Sequence, residues 1–175
     1  MTNYVLDACA FITGINPSSI EGRVYSVPAI AEELPQGSMA FLRFNTSQEA
    51  GHLTVIAPSS DYLERIVKTS KELGEAKALS KADLQVIALA LELESKEKNP
   101  TIVTDDYAIQ NVAEHLKLNY SSLATMGIAY EFNWMLYCPA CFKEYQQEYR
   151  LLTCEVCGTK LKKKVRKKLD KHKSD

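Results

Sequence analysis

The stretch Asn3-Tyr4-Val5-Leu6-Asp7 decides how the fold is interpreted, because it places an acid directly after a short apolar strand. Asp7 should therefore lie at the carboxyl end of a central strand. Open sheets of parallel strands bind their ligands at that edge. A carboxylate buried there needs a partner, because an unpaired charge in a protein interior is costly. Asp7 is thus the first candidate functional residue.

A strand-then-helix pattern continues beyond Asp7. Pro28 is well placed as the first residue of a helix, and Gly74 ends an amphipathic helix. Ser80 and Asp83 resemble a capping box, and they open a helix that is apolar nearly all round and should be buried. The predicted strands span 3–6, 23–27, 101–103 and 118–121. The predicted helices span 28–34, 61–73 and 81–96, and a last helix starts at Asp105 or Asp106 and runs through His115. Strands separated by helices predict an α/β fold with a parallel sheet.

Further acids stand at the ends of these elements: Glu33, Asp83, Asp105 and Asp106. If the strands are parallel, these acids and Asp7 converge on one rim of the sheet. Carboxylates that lie close together repel one another, so the arrangement favours hard cations, Mg²⁺ or Mn²⁺. No histidine or cysteine accompanies them, which argues against a catalytic zinc. Each acid also has an ordinary interpretation, as a helix cap or as a solvated helix residue.

Four of the five cysteines form two CxxC pairs, Cys138/Cys141 and Cys154/Cys157, separated by twelve residues. Four thiolates in this spacing are typical of a tetrahedral Zn²⁺ site in a zinc ribbon. Such a zinc is structural, because the protein fills all four positions. Gly158 follows the second pair, where the chain turns back and a positive φ is needed. The fifth cysteine, Cys9, is interpreted as a small buried hydrophobe.

The C-terminal segment is strongly basic. From Gly158 onward the chain carries +7, although its total net charge is −1. Phosphate contacts suit such a segment, and the candidate RNA-binding residues are Lys160, Lys162, Lys163, Lys164, Arg166, Lys167 and Lys168. Apolar residues at intervals of four from 161 to 169 predict a weak helix, and disorder until RNA is bound is the alternative.

Composition and motif order together suggest four regions. We expect an α/β domain over 1–126, a linker over 127–137, a zinc ribbon over 138–160 and a basic tail over 161–175. With 46% hydrophobic and 25% charged residues the chain is typical of a soluble globular protein. It has neither an apolar run of roughly 20 residues nor a signal peptide. We therefore expect a cytoplasmic protein without a membrane partner.

Four motifs in order resemble the PIN-domain nucleases: Val5-Leu6-Asp7, Pro28-Ala29-Ile30-Ala31-Glu32-Glu33-Leu34, Leu79-Ser80-Lys81-Ala82-Asp83 and Val103-Thr104-Asp105-Asp106. The resemblance implies a PIN-like parallel sheet flanked by helices. It also implies that Asp7, Glu33, Asp83 and Asp106 are catalytic and hold Mg²⁺ or Mn²⁺. Asp105 stands where many of the family have asparagine, which leaves its contact with metal open.

The zinc ribbon and the basic tail narrow the resemblance to the Nin-one-binding family of PIN-domain endonucleases, in a compact, archaeal-type form. That family implies a metal-dependent endoribonuclease that cleaves precursor rRNA and forms the 3′ end of small-subunit rRNA during ribosome biogenesis. Its partners would be precursor rRNA and the small ribosomal subunit, with ribosome assembly proteins as further candidates.

Other functions stay open at this point. A PIN-type toxin would cut transfer or messenger RNA, although the appended ribbon speaks against it. A non-catalytic RNA-binding assembly factor would use the ribbon alone, and its acids would be structural. A transcription-type zinc ribbon on an unrelated domain leaves the set of acids unexplained.

Overall fold

The computed structural model describes residues 2–126, 132–145, 149 and 153–168. The chain divides into two compact units, Met1–Ile128 and Ala129–Asp175. The first unit is an α/β domain, and the second contains a small antiparallel sheet and the four paired cysteines.

Helices and strands alternate through most of the first unit. Its strands are β1 (Asn3–Leu6), β2 (Arg23–Ser26), β3 (Thr54–Val55), β4 (Pro100–Val103) and β5 (Asn119–Ser121), and its helices are α1 (Ala8–Thr13), α2 (Pro28–Glu33), α3 (Met39–Glu49), α4 (Ser60–Glu72), α5 (Lys81–Ser95) and α6 (Tyr107–His115). Short 3₁₀ turns cover Pro17–Ser19 and Leu123–Met126. None of the helices in the described residues has the length and apolar character needed to cross a bilayer.

The five strands form one parallel sheet in the order β3-β2-β1-β4-β5. This confirms the predicted α/β fold. In the register of β1 and β4, Leu6 lies opposite Val103. The residues that follow, Asp7 and Thr104, therefore leave the sheet side by side at its carboxyl edge.

The core lies between the sheet and its helices. Val5 and Leu6 of β1 and Ile102 of β4 are fully buried. The helix α5 buries eight residues from several sides, as predicted from its apolar sequence. Its capping box is also confirmed: the side chains of Ser80 and Asp83 each accept a hydrogen bond from the other residue's backbone amide.

The sequence did not predict α1, α3 or β3. The helix α3 begins after Ser38, whose hydroxyl accepts a hydrogen bond from the Phe41 amide at 3.1 Å. Its buried face includes Ser47, while Met39 is exposed, so hydrophobic periodicity is blurred. Tertiary contacts stabilise it instead, including an edge-to-face contact between Phe44 and Phe11 of α1, with ring centroids 5.1 Å apart.

The second unit contains strands β6 (Phe132–Tyr137), β7 (Glu144–Tyr145) and β8 (Lys162–Lys168), in the antiparallel order β7-β6-β8. Its small core consists of Cys138, Tyr145, Cys154 and Leu161, with Leu136 and Tyr149 packed beside them.

Two expectations are corrected in this unit. The segment expected as a linker contains β6, and its remaining residues, 127–131, lie outside the described residues. The weak helix predicted for the tail is wrong, because 162–168 is a strand paired with β6, while 169–175 lies outside the described residues. A short helical period carries little stability by itself, so the backbone pairing with β6 prevails.

Candidate metal centres

Asp7 is fixed at the junction between β1 and α1. The buried residues before it place it at the carboxyl edge of the sheet, and its side chain accepts a hydrogen bond from the Ala8 amide as the N-cap of α1. Only 5% of the residue is exposed to solvent. The prediction that Asp7 lies at the end of a central strand is confirmed.

Neutral donors surround the Asp7 carboxylate. Thr104 Oγ1 donates to Asp7 Oδ2 at 2.9 Å, and the Cys9 thiol lies 3.2 Å from the same oxygen. No lysine, arginine or histidine among the described residues forms an ion pair with it. A buried carboxylate that has hydrogen-bond donors but no countercharge is suited to bind a cation.

The pKa of Asp7 reflects this environment. Burial raises it from 3.8, the negative charge of Asp83 raises it further, and hydrogen bonds from Cys9, Thr104 and Ala8 oppose the rise, which leaves the pKa at about 6. The carboxyl is therefore charged at neutral pH at an energetic cost. A bound divalent cation would offset that cost.

Asp83 stands at the start of α5 and is half-buried. Its Oδ2 accepts a hydrogen bond from the Ser80 amide at 2.7 Å, so it performs the capping role. Its charge also acts on Asp7. The helix cap and the electrostatic contact with Asp7 are compatible, because a carboxylate oxygen accepts more than one bond.

Asp105 and Asp106 have different contacts. Asp106 is the N-cap of α6 and accepts a hydrogen bond from the Ala108 amide at 2.8 Å, while its carboxylate is exposed. Asp105 Oδ1 accepts a hydrogen bond from the Leu123 amide at 2.9 Å. Asp105 thus holds the turn after β5, and both acids are exposed at the edge of the sheet.

Glu33 is the last residue of α2 and is exposed. Within the described residues its side chain has no hydrogen bond or ion pair. Its neighbour Glu32 contacts Lys81, the first residue of α5, at 3.4 Å. The end of α2 therefore lies beside the start of α5, which also carries Asp83.

The acids are spread more widely than a single compact coordination shell. Among the described residues, the only group of three or more potential ligand side chains close enough to hold one ion is the set of four cysteines. Mg²⁺ commonly binds proteins through one or two carboxylates and keeps several water molecules. An open set of acids fits such an ion better than it fits a fully dehydrated one.

Two residues at this site were not assigned a role from the sequence. Thr104 is fully buried, and its hydroxyl both donates to Asp7 and accepts a hydrogen bond from the Asp106 amide at 3.1 Å. Cys9 contacts Asp7 and Thr104. A polar residue between a buried strand and two acids was the available signal for Thr104. The sequence was interpreted with Cys9 as a buried hydrophobe and with no cysteine beside the acids, but Cys9 is half-buried and its thiol contacts Asp7.

The four paired cysteines form the second centre. Their sulfur atoms all lie within 4.8 Å of one another, with 3.3 Å between Cys138 and Cys157 and 3.5 Å between Cys141 and Cys154. Zinc–sulfur bonds of about 2.3 Å in a tetrahedron place sulfurs about 3.8 Å apart. The arrangement fits a four-cysteine metal site, as the sequence predicted.

The two cysteine pairs are built in the same way. Cys138 N donates to Lys143 O at 2.9 Å, and Cys154 N donates to Thr159 O at 2.8 Å. The chain turns back through amides that donate to the carbonyls of these two cysteines, from Phe142 at 2.9 Å and from Gly158 at 2.8 Å. Gly158 has a φ of 71°, which confirms the positive φ predicted there.

Hydrogen bonds favour the thiolate form at Cys154. Burial raises the pKa of this thiol, but hydrogen bonds from the Tyr145 hydroxyl and from the backbone amides of Cys157 and Val156 lower it below the ordinary value. Tyr145 Oη lies 3.0 Å from Cys154 Sγ. Thiolates are the metal-binding form of cysteine, so this environment supports metal binding.

Comparison with known proteins agrees with the geometry of the first unit. The family model for the PIN domain of ribonuclease matches residues 4–93, which is just over half of the chain. The chain belongs to the PIN-domain ribonuclease family. The match includes Asp7, Glu33 and Asp83. Nucleases of this family depend on divalent metal ions.

Full-length relatives extend the similarity beyond the PIN domain. An Endoribonuclease Nob1 from Methanocaldococcus jannaschii is 35% identical over 161 residues, which is 92% of this chain and 77% of the relative. Another from Methanothermobacter thermautotrophicus is 32% identical over 91% of each chain. Ribonuclease VapC1 from Thermoplasma acidophilum is 31% identical over 91% of this chain and 77% of its own. Each match is longer than the first unit and therefore reaches the second.

Proposed function

We propose that the chain is a metal-dependent endoribonuclease that cleaves precursor rRNA to form the 3′ end of small-subunit rRNA during ribosome biogenesis. The observation that carries the proposal is Asp7, a buried carboxylate at the carboxyl edge of a PIN-type sheet with neutral donors around it. Relatives named Endoribonuclease Nob1 match more than nine-tenths of the chain. They support this function over the other functions proposed for a PIN-domain ribonuclease.

The proposed ions are Mg²⁺ or Mn²⁺. Asp7 and Asp106 are the principal direct ligands in this proposal, and Glu33 and Asp83 complete the shell directly or through water. Their wide spacing supports a partly hydrated ion. These acids would hold the divalent ion, which would supply an activated water and a positive charge beside the scissile phosphate. Cleavage would leave a 3′-hydroxyl end.

The chain's own contribution is to orient Asp7, and the hydrogen bonds that do so favour its charged form against the opposing effect of burial. Thr104 and Cys9 both contact Oδ2, and Ala8 donates to the other oxygen, so the carboxylate cannot rotate freely. Because the pKa of Asp7 is about 6, the acid is deprotonated near neutral pH. Asp105 is assigned a structural role, because its carboxylate holds the Leu123 amide.

The proposed zinc has a structural role. The second unit is the proposed RNA-binding unit. Lys160 and Lys162 are exposed, and five further basic residues lie along β8: Lys163, Lys164, Arg166, Lys167 and Lys168. Phosphate contacts by such residues give affinity that falls steeply with salt and depends little on sequence. In this proposal the carboxylates of the first unit cleave the RNA, and the basic residues of the second unit bind it.

The proposed setting is the cytoplasm, on the small ribosomal subunit, beside ribosome assembly proteins. One alternative function is that of a PIN-type toxin ribonuclease, and the similarity to Ribonuclease VapC1 is the observation in its favour. A non-catalytic assembly factor is the other alternative. The three functions differ in which RNA is cut and in whether any RNA is cut, so cleavage assays on several RNAs distinguish them.

The experiment compares three RNAs with purified protein and the Asp7→Asn variant: a transcript that spans the mature 3′ end of small-subunit rRNA and its flank, a transfer RNA, and an unrelated messenger fragment. Products are mapped to single nucleotides with Mn²⁺ present. Cleavage at the rRNA junction that is lost in Asp7→Asn supports the proposal. Preferred cleavage of the transfer or messenger RNA favours the toxin, and tight binding of rRNA without cleavage favours the assembly factor.

A further inference from the structure

The two cysteine pairs share their backbone pattern but differ at the residue where the chain turns back. That residue is Gly158 in the second pair and Phe142 in the first. Both have a positive φ, 71° for Gly158 and 61° for Phe142. A glycine accepts this conformation readily, whereas a bulky side chain there is an outlier.

Burial of the Phe142 side chain does not offset the unfavourable free energy of its positive φ. It is 74% exposed to solvent and does not belong to the small core of its unit. The equivalent position is open as well, because a Cβ atom built on Gly158 meets nothing within 4 Å. The fold therefore does not need a phenylalanine at this turn, and a glycine would serve it better.

The other aromatic residues beside the cysteines have structural roles. Tyr145 is buried and its hydroxyl contacts Cys154 Sγ. Tyr149 stacks on Tyr145 with ring centroids 4.3 Å apart, and Tyr137 is half-buried. Among the aromatic side chains whose exposure is described in this unit, Phe142 is the one that presents its ring to solvent.

The unit that carries Phe142 is rich in basic residues, although Lys143 beside it forms an ion pair with Glu155. The described residues of the second unit contain eight lysines or arginines and two glutamates. Lys143 follows Phe142 directly, and β8 carries six basic residues out of seven. An exposed ring on a basic module is the combination that binds single-stranded nucleic acid, because the cations hold phosphates and the ring stacks on a base.

A hydrophobic protein partner fits this surface less well. Among the residues of this unit whose exposure the structure describes, the second large exposed apolar side chain is Val156, which is 64% exposed on the other cysteine pair. Two such side chains amid basic residues make a small apolar area. Stable protein interfaces use broader complementary patches.

We propose that Phe142 is a stacking platform for an unpaired nucleobase of the RNA that the zinc ribbon binds. The inference rests on the proposed function and deepens it by assigning base contact to the turn after Cys141. The lysines and arginines hold the phosphate backbone without regard to strandedness. Phe142 adds a preference for single-stranded RNA over a perfect duplex.

The test measures binding in the Asp7→Asn background, with the zinc-loaded full chain and no chelator, so that RNA stays intact. The probes are a fluorescein-labelled 15-nucleotide oligouridine and a labelled RNA duplex of equal length, followed by anisotropy. Phe142→Ala and Phe142→Gly should lose about 10- to 100-fold in affinity for the single strand. Phe142→Tyr should stay close to the parent, and the control Val156→Ala should change neither probe. Duplex affinity should be the same for every variant.

Thermal stability separates lost stacking from lost folding. Phe142→Gly should melt at a higher temperature than the parent protein while it binds single-stranded RNA more weakly. Unchanged single-strand affinity in Phe142→Ala and Phe142→Gly would overturn the inference and point to a protein partner. Equal losses for the single strand and the duplex would overturn it as well. Failure of the rRNA cleavage assay would count against the proposed function and leave these binding results as they stand.

Discussion

The hydroxyl of Thr104 donates a hydrogen bond to the buried carboxylate of Asp7, with 2.9 Å between Oγ1 and Oδ2, although 97 positions separate the two residues in sequence. The parallel register of β1 and β4 brings them together at the edge of the sheet. The same hydroxyl accepts a hydrogen bond from the Asp106 amide. Thr104 thus links the two acids proposed as principal metal ligands.

Replacement of Thr104 tests whether it positions Asp7. Thr104→Val keeps the shape of the side chain but removes the hydroxyl, so Asp7 Oδ2 loses a donor and the Asp106 amide loses its acceptor. We expect metal affinity and turnover to fall by about tenfold or more. Thr104→Ser keeps a hydroxyl and should retain most activity. Equal activity in Thr104→Val and the parent across a Mn²⁺ titration would show that the bond has no part in catalysis.

The raised pKa of Asp7 predicts how stability depends on pH without added divalent ions. The folded state holds this proton more tightly, with a pKa of about 6 against an ordinary value of 3.8. This carboxyl therefore favours folding below about pH 3.8, and its contribution is lost as the pH rises through 6. The full difference amounts to about 3 kcal/mol. Asp7→Asn should gain up to that amount in unfolding free energy, relative to the parent protein, between about pH 4 and about pH 7.

Urea titrations followed by helical circular dichroism would measure this difference, since the described helices all lie in the first unit. At neutral pH, Mn²⁺ should stabilise the parent protein and leave Asp7→Asn unaffected. A stability difference that stays constant with pH would contradict a charged, uncompensated Asp7.

A pair of variants separates the two roles of Asp83. Ser80→Ala removes the side-chain acceptor for the Asp83 amide and should cost about 1 kcal/mol of stability while it leaves the carboxylate in place. Asp83→Asn keeps an oxygen that can accept from the Ser80 amide but removes the charge. We expect Ser80→Ala to melt earlier with near-normal turnover, and Asp83→Asn to melt normally with turnover reduced about tenfold or more. Normal turnover in Asp83→Asn would leave Asp83 as a helix cap alone.

Metal analysis tests the four-cysteine site. The parent protein should carry one zinc per chain by elemental analysis, and Cys157→Ser should lose most of it, because three thiolates hold zinc less tightly than four. Cys9 lies beside Asp7 in the other unit, so Cys9→Ser is the matched control and should keep its zinc. Full zinc content in Cys157→Ser would contradict the assignment.

The sequence predicted the parts of this molecule that depend on local pattern. Asp7 follows an apolar strand, Ser80 and Asp83 form a capping box, and Gly158 turns the chain with a positive φ. Each of these features involves a few neighbouring residues. Local preferences and the fold agree there, so the sequence alone predicts these features.

The features that were missed depend on contacts between distant segments. The bond between Thr104 and Asp7 requires the register of two strands, which no local pattern gives. The strand β8 reads as a weak helix by itself and becomes a strand because β6 is available to pair with it. The helix α3 exposes Met39 and buries Ser47, so its amphipathic pattern is too weak to detect.

The central claim is that carboxylates at the edge of the sheet hold a divalent ion that hydrolyses RNA. Its most direct test incubates a 3′-labelled and a 5′-labelled copy of one RNA with the parent protein or Asp7→Asn, with and without Mn²⁺, and identifies the chemical ends of the products. We expect internal cuts that leave a 3′-hydroxyl, need Mn²⁺ and disappear in Asp7→Asn. Cleavage that persists in Asp7→Asn or without a divalent ion would contradict the claim, and so would products that carry a 2′,3′-cyclic phosphate.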